Sequence, residues 1–239
     1  MDGFSYTNIF DTKGIEYLVV IAFLILIVPF WRALNKPLKT KEIAGDALGV
    51  LTAAMLRIPK GLFYSSNHVW THLERSGNAS LGLDDLLMHL TGRVELKNFK
   101  NPGERVKKGD LIAEMTQDGK PLRIMSPISG EISDVNENVE SEPAVLNEDP
   151  YRKGWLYKIK PDKWSSETGN MVMAEEARKW SEGELLKFKD FVANSMIRHA
   201  PQTSEVILQE GGELTDYPLS GMPAEVWEDF QKGFLNIEE

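Results

Sequence analysis

Apolar residues change their spacing several times along this chain, and each change marks a different kind of element. From Tyr17 to Trp31 the run Y-L-V-V-I-A-F-L-I-L-I-V-P-F-W carries no charge. With Gly14, Ile15, Ala33 and Leu34 added, it approaches the ~20 residues that cross a hydrocarbon core. Glu16 and Arg32 would then stand at the two interfaces, with Tyr17, Phe30 and Trp31 at headgroup depth. Residues 1–35 are therefore expected to form a transmembrane anchor that enters the bilayer through 14–34. A buried core helix is the plainer alternative for so short a run. A cleaved leader is disfavoured, because Asp2, Asp11 and Glu16 precede the run where such a leader carries positive charge. Next, Ile43, Ala47, Val50, Ala54 and Ile58 recur at helical spacing and Pro59 closes the pattern. Residues 36–61 accordingly read as a linking amphipathic helix, packed on its own domain or on a partner.

From Phe63 onward the apolar runs shorten and glycine punctuates them. Val69–Leu73 and Ala79–Leu83 read as strands around a turn at Gly77-Asn78, and Asp84–Leu90 as a short helix with Leu86, Leu87 and Leu90 on one side. Five more strands are expected: Arg93–Leu96, Leu111–Met115, Leu122–Met125, Glu131–Val135 and Trp155–Ile159. Many short strands at such intervals imply a small β-sandwich or flattened barrel. Asp118-Gly119 predicts a two-residue type I′ turn, since both central positions need positive φ; Gln117 and Lys120 would be the pair closing it. After Lys163 the helical period returns. Ser181 is expected to start a helix with Leu185, Phe188, Val192 and Met196 as its apolar stripe. Val206–Leu208 reads as extended, and Pro223 opens a second helix carrying Val226, Trp227, Phe230 and Phe234. These stripes either pack on the barrel and each other or form a docking module for a partner.

Composition narrows the chemistry. The 239 residues contain no cysteine, which removes disulfides, thiolate metal sites and a CxxC redox pair. A net charge of -9, without clustered Lys and Arg, gives no nucleic-acid surface. Arg32, Lys36, Lys39 and Lys41 follow the apolar run while Lys13 precedes it. The positive-inside rule then places the N-terminus outside and the globular part in the cytoplasm, at the inner membrane. His68 and His72, four apart on an expected strand, lie too far apart for a shared metal, and His89 and His199 read as isolated. Glu140, Glu142, Glu148 and Asp149 form an acidic patch, either a solvated loop or a docking surface. No nucleophile or phosphate-cradling motif is present, so an enzyme is not expected.

The segment Ser126-Pro127-Ile128-Ser129-Gly130-Glu131-Ile132, then Val135-Asn136, Asn147-Glu148-Asp149-Pro150-Tyr151 and Gly154-Trp155 through Pro161, resembles the H protein of the glycine cleavage system. Tyr64, His68 and Trp70, Gly82-Leu83 with Asp84 or Asp85, and Gly92, Gly103, Val106 and Gly109 match further turns of that family. The resemblance covers about Leu62 to Pro161. It implies, for 62–162, the barrel-sandwich hybrid fold of lipoyl and biotinyl domains; 163–239 lies beyond the resemblance and reads from its helical stripes as an α-helical extension. The fold class expected for the whole is a mainly β, H-protein-like central domain with an N-terminal transmembrane helix and a C-terminal helical extension.

In that family a lysine seven residues before the serine of SP-x-SG carries lipoate on a hairpin tip. Here that position is Gly119. In one reading Lys120, displaced by one residue, still accepts covalent lipoate and the glycine cleavage enzymes are the partners. In the other, Lys120 is an ordinary turn lysine and no cofactor is held. The chain is then a membrane-anchored accessory or scaffold subunit among membrane-embedded proteins, with a redox or respiratory complex as host by analogy. A one-residue register change turns a side chain to the opposite face of a hairpin, and this favours the second reading.

Overall fold

The protein is described here by a computed structural model covering residues 9–34, 50–199, 208–209 and 213–237. It divides into two compact units, residues 1–43 and 44–239. The first holds α1 (Ile9–Leu34), a single helix of 26 residues. Its apolar side chains are exposed from Tyr17 through Ile27. Among the described residues no helix is long and apolar enough to cross a membrane. The expected anchor thus falls on a described helix, α1, that does not meet the length and apolarity of a crossing.

The linking helix is corrected where it is described. Ile43 and Ala47 lie outside the described residues, but from Val50 onward the chain is mostly extended. Val50 forms an antiparallel bridge with Thr215, and the Leu51 N–H donates to the Leu214 carbonyl at 2.7 Å. Only Ala53–Met55 makes a single 3₁₀ turn. Val50 bridges to Thr215 and Ile58 packs beside Tyr64 and Trp70, while Ala54 is exposed, so no single helical face forms, and the strand-type partner comes from the far end of the chain.

The second unit is built on two antiparallel sheets. Ten strands contribute: β1 (Phe63–Tyr64), β2 (Val69–Leu73), β3 (Ala79–Leu83), β4 (Glu95–Asn98), β5 (Arg105–Val106), β6 (Leu111–Gln117), β7 (Lys120–Met125), β8 (Gly130–Val135), β9 (Trp155–Pro161) and β10 (Val172–Met173). The larger sheet runs β10-β1-β2-β3-β9-β8-β5 and the smaller β4-β6-β7. Leu122 and Ile124 on β7, and Leu81, Ile132, Leu156 and Ile159 of the larger sheet, meet in one hydrophobic core. Alternation produces this: Leu122 and Ile124 point in while Arg123 between them points out. Tyr157 joins the sheets, its hydroxyl donating to the Ile112 carbonyl at 2.7 Å and accepting from the Phe99 N–H at 3.1 Å. The expected strands are present, with small differences at their ends. The hairpin strands run on to Gln117 and back to Lys120, and the strand expected at Arg93–Leu96 sits at Glu95–Asn98.

The short helix is α2 (Asp85–Thr91), capped by the Asp84 carboxylate, which accepts from the Leu87 N–H. Three brief helices, α3 (Asn138–Ser141), α4 (Val145–Glu148) and α5 (Trp164–Thr168), line the connections around β9. The extension is a long α6 (Ala174–His199), a strand pair β11 (Leu208–Gln209) and β12 (Glu213–Leu214), and α7 (Ala224–Asp229), which runs into a wide π-type turn at Phe230–Phe234. The helix expected from Ser181 starts seven residues earlier. Leu185, Phe188, Val192 and Met196 on α6, with Val226, Trp227, Phe230 and Phe234, belong to the same core as the sheets. Their stripes face inward. The docking-module reading of those aromatic residues is thereby corrected: Phe188 and Phe230 are fully buried.

Candidate functional site

The β6–β7 hairpin ends as its sequence demands. Gln117 pairs with Lys120, and Asp118 and Gly119 between them have φ of 48° and 76°, the positive pair of a type I′ turn. Gly119 forms the tip, and a Cβ there would meet nothing within 4 Å. Gln117 turns inward, its amide donating to the Thr91 carbonyl at 2.6 Å and the Arg93 carbonyl at 3.3 Å. Lys120, paired directly opposite Gln117 and so on the same face of the hairpin, is partly buried. Its Nζ donates to the carbonyls of Ser220 at 3.3 Å and Met222 at 3.1 Å, and lies 5.4 Å from the centre of the Trp227 ring.

These contacts come from a strap that crosses the end of α2 on its way to α7. The Tyr217 and Leu219 N–H groups donate to the His89 and Leu90 carbonyls. The Trp227 indole N–H donates to the Leu219 carbonyl at 3.0 Å. Along β7, Pro121 has no N–H to offer, and the Arg123 N–H donates to the Gln231 side-chain oxygen at 2.9 Å. The extension thus covers the outer edge of the strand that leads from the hairpin tip.

Two histidines, His68 fully buried and His89 partly buried, fasten the extension in place. His68 lies in the turn before β2, at φ 59°, rather than on the strand with His72. Its ring is fully buried, stacked on Phe234 at 5.4 Å and tilted against Trp180 at 5.0 Å. Its Nδ1 is 2.8 Å from an Asp84 oxygen, and its Nε2 is 3.7 Å from Glu184 on α6. Burial pulls the His68 pKa down, but Asp84 and Glu184 outweigh it and the group is raised to about 9. His89, which read as isolated, has its Nδ1 2.7 Å from Asp216 on the strap and its Nε2 3.5 Å from the buried Asp85. Burial again works against the charged form, and Asp216 and Asp85 again prevail, raising His89 to about 9.

Asp85 also receives the Arg57 side chain, with Nε at 2.8 Å, and the Arg57 backbone N–H at 2.7 Å. That guanidinium reaches the Asn147 and Glu148 carbonyls as well, so the segment entering the domain is clamped to the N-E-D-P-Y loop. Burial raises the Asp85 carboxyl, but the hydrogen bonds from His89 and Arg57 more than offset it and hold it below the usual range. The other expected candidates also have structural partners. His199 lies 3.0 Å from Asp229, and His72 Nδ1 is 3.2 Å from the Gly61 carbonyl. The Glu140 carboxylate accepts from the Asn98 N–H.

A pair of antiparallel sheets that presents a tight two-residue hairpin is the architecture of a carrier domain of the lipoyl type. Comparison with known proteins gives the family: the glycine cleavage H-protein family matches residues 62–184. That is just over half of the chain, and the chain belongs to this family. Similar proteins include the glycine cleavage system H protein of Aeromonas hydrophila, 36% identical over 121 residues, covering 51% of this chain and 93% of the relative. The glycine cleavage system H protein 2 of Aquifex aeolicus is 28% identical over 150 residues, covering 62% of this chain and 89% of the relative. Among solved structures, a glycine cleavage system H protein from Mycobacterium marinum matches with a TM-score of 0.46 at 25% identity, covering 52% of this chain and 98% of that one.

Proposed function

We propose that this chain is a non-enzymatic H-protein-type subunit whose hairpin serves as a contact surface and is not charged with lipoate. One observation carries the reading: the Lys120 ammonium is taken up by the Ser220 and Met222 carbonyls and the Trp227 ring. The family implies lipoate, and the residues at the tip do not suit it. The tip itself is Gly119, and the neighbouring amine is engaged in holding the chain's own extension.

The second reading is a lipoyl carrier acylated on Lys120, with glycine cleavage enzymes as partners. Family membership speaks for it more directly than for the first, because the relatives named as H proteins match over about nine-tenths of their length. It requires Lys120 to leave its present contacts. Intact-mass measurement of the full chain from a lipoate-supplied host separates the two. No adduct is expected; a lipoyl increment that disappears in Lys120→Arg would establish the carrier.

As part of the same proposal, α1 attaches the protein to a membrane, with the N-terminus outside and the second unit in the cytoplasm beside membrane-embedded partners. Its support is a 26-residue helix whose described apolar side chains are exposed, with cationic residues concentrated on its C-terminal side. Because the chain has no cysteine, single introduced thiols report sidedness. In intact cells an impermeant maleimide is expected to label Asp2→Cys and spare Lys60→Cys; the reverse pattern would overturn the orientation.

A further inference from the structure

The strap is tied at two charged points: Asp216 pairs with His89 of α2, and the Ser220 and Met222 carbonyls take the Lys120 ammonium. Apolar packing holds α7 and the π-type turn, whereas the strap between Leu214 and Met222 reaches the hairpin through the Lys120 ammonium alone among the polar side chains described above. At its other end the strap bonds the segment that enters the domain, through Val50–Thr215 and Leu51–Leu214. Lys120 therefore sits at one end of a continuous connection whose other end is residues 50–51.

We propose that Lys120 is a charge-dependent latch, and that acylation of its ε-amine frees the strap from the hairpin. An ammonium offers three N–H donors and a full charge, enough for two carbonyls and an aromatic face. An acylated lysine keeps one N–H on a planar, neutral amide, so it serves one carbonyl and loses the attraction to Trp227. The modifying chemistry is ordinary acyl transfer. The deprotonated Nζ attacks the carbonyl carbon of a thioester or acyl adenylate; an amide C–N bond forms, the C–S or C–O bond breaks, and thiol or nucleotide leaves. Ser220 and Gly221, beside the amine, are exposed, so a donor can approach. The inference goes beyond the proposed function, which concerns lipoate alone: it concerns a small acyl group such as acetyl and the response of the fold to it.

Amide hydrogen exchange on the full chain in detergent tests it, with acetyllysine installed at position 120 by codon suppression and Lys120→Gln and Lys120→Arg alongside. Peptides covering 214–222 and 50–52 are expected to exchange roughly tenfold faster with acetyllysine and with Lys120→Gln, the loss of about one charge-assisted hydrogen bond. Lys120→Arg and the β2–β3 peptides should keep wild-type rates. Wild-type exchange at 214–222 in the acetyllysine protein would overturn the latch. So would equal acceleration in Lys120→Arg, or acceleration spreading to β2 and β3. The mass measurement for lipoate reads a different quantity, so the two ideas fail separately.

Discussion

Gly130→Ala is expected to lower the thermal midpoint by roughly 10 °C, the largest effect of a single methyl group in this domain. Gly130 opens β8 opposite Pro161 of β9. A Cβ there would lie 2.2 Å from the Lys160 carbonyl oxygen and 2.6 Å from Ile159 Cγ2. The oxygen belongs to a paired strand and has no rotamer with which to yield, so β8 and β9 must separate or shift. Such overpacking costs about 3 kcal/mol. Gly119→Ala is the control: it meets open space and pays only for a positive φ, about 1 kcal/mol. Thermal melts of the two variants settle the order. If Gly130→Ala melted no lower than Gly119→Ala, the close approach of β8 to β9 would be wrong.

Alkaline loss of stability is the second large effect. In the folded protein His68 and His89 are both raised to about 9, above the ordinary value of about 6.5 in an unfolded chain. Folding therefore favours the protonated forms. The stabilisation is fully present below about pH 6.5 and is lost as pH climbs through about 9, amounting to about 3 kcal/mol for each histidine. Urea midpoints at pH 6.5 and 9.5 should differ accordingly. Most of the difference should vanish in the double variant His68→Leu, His89→Leu. Keeping the upper limit at pH 9.5 leaves tyrosine ionisation out of the window. Coincident midpoints would mean that the two rings do not carry charge between their carboxylates.

What was legible in the sequence follows distance along the chain. The hairpin was readable because Asp118 and Gly119 are its whole instruction, and α2 was readable because Asp84 caps it three residues before its partner N–H. The stripe at Leu185, Phe188, Val192 and Met196 declared a buried face but not its owner. The cover turned out to be the protein's own core, shared through Phe234 and Trp227. His68 could be placed in the family pattern, yet its tie to Glu184 joins residues more than a hundred positions apart, and no local pattern announces it. Val50 to Ile58 misled for the opposite reason. Helical spacing was present by coincidence in a stretch that Arg57, Asp85 and Thr215 hold extended.

The cover over β7 also has a history in time. Arg123 and the Gln231 that caps its N–H are 108 residues apart, so during synthesis the strand edge waits for its guard for about 5–20 s. For that interval the nascent sheet displays an open edge of the kind that invites pairing with neighbouring chains. Pro121, which has no N–H to donate, stands on that edge from the moment it is made. It blunts the strand before the later helix can.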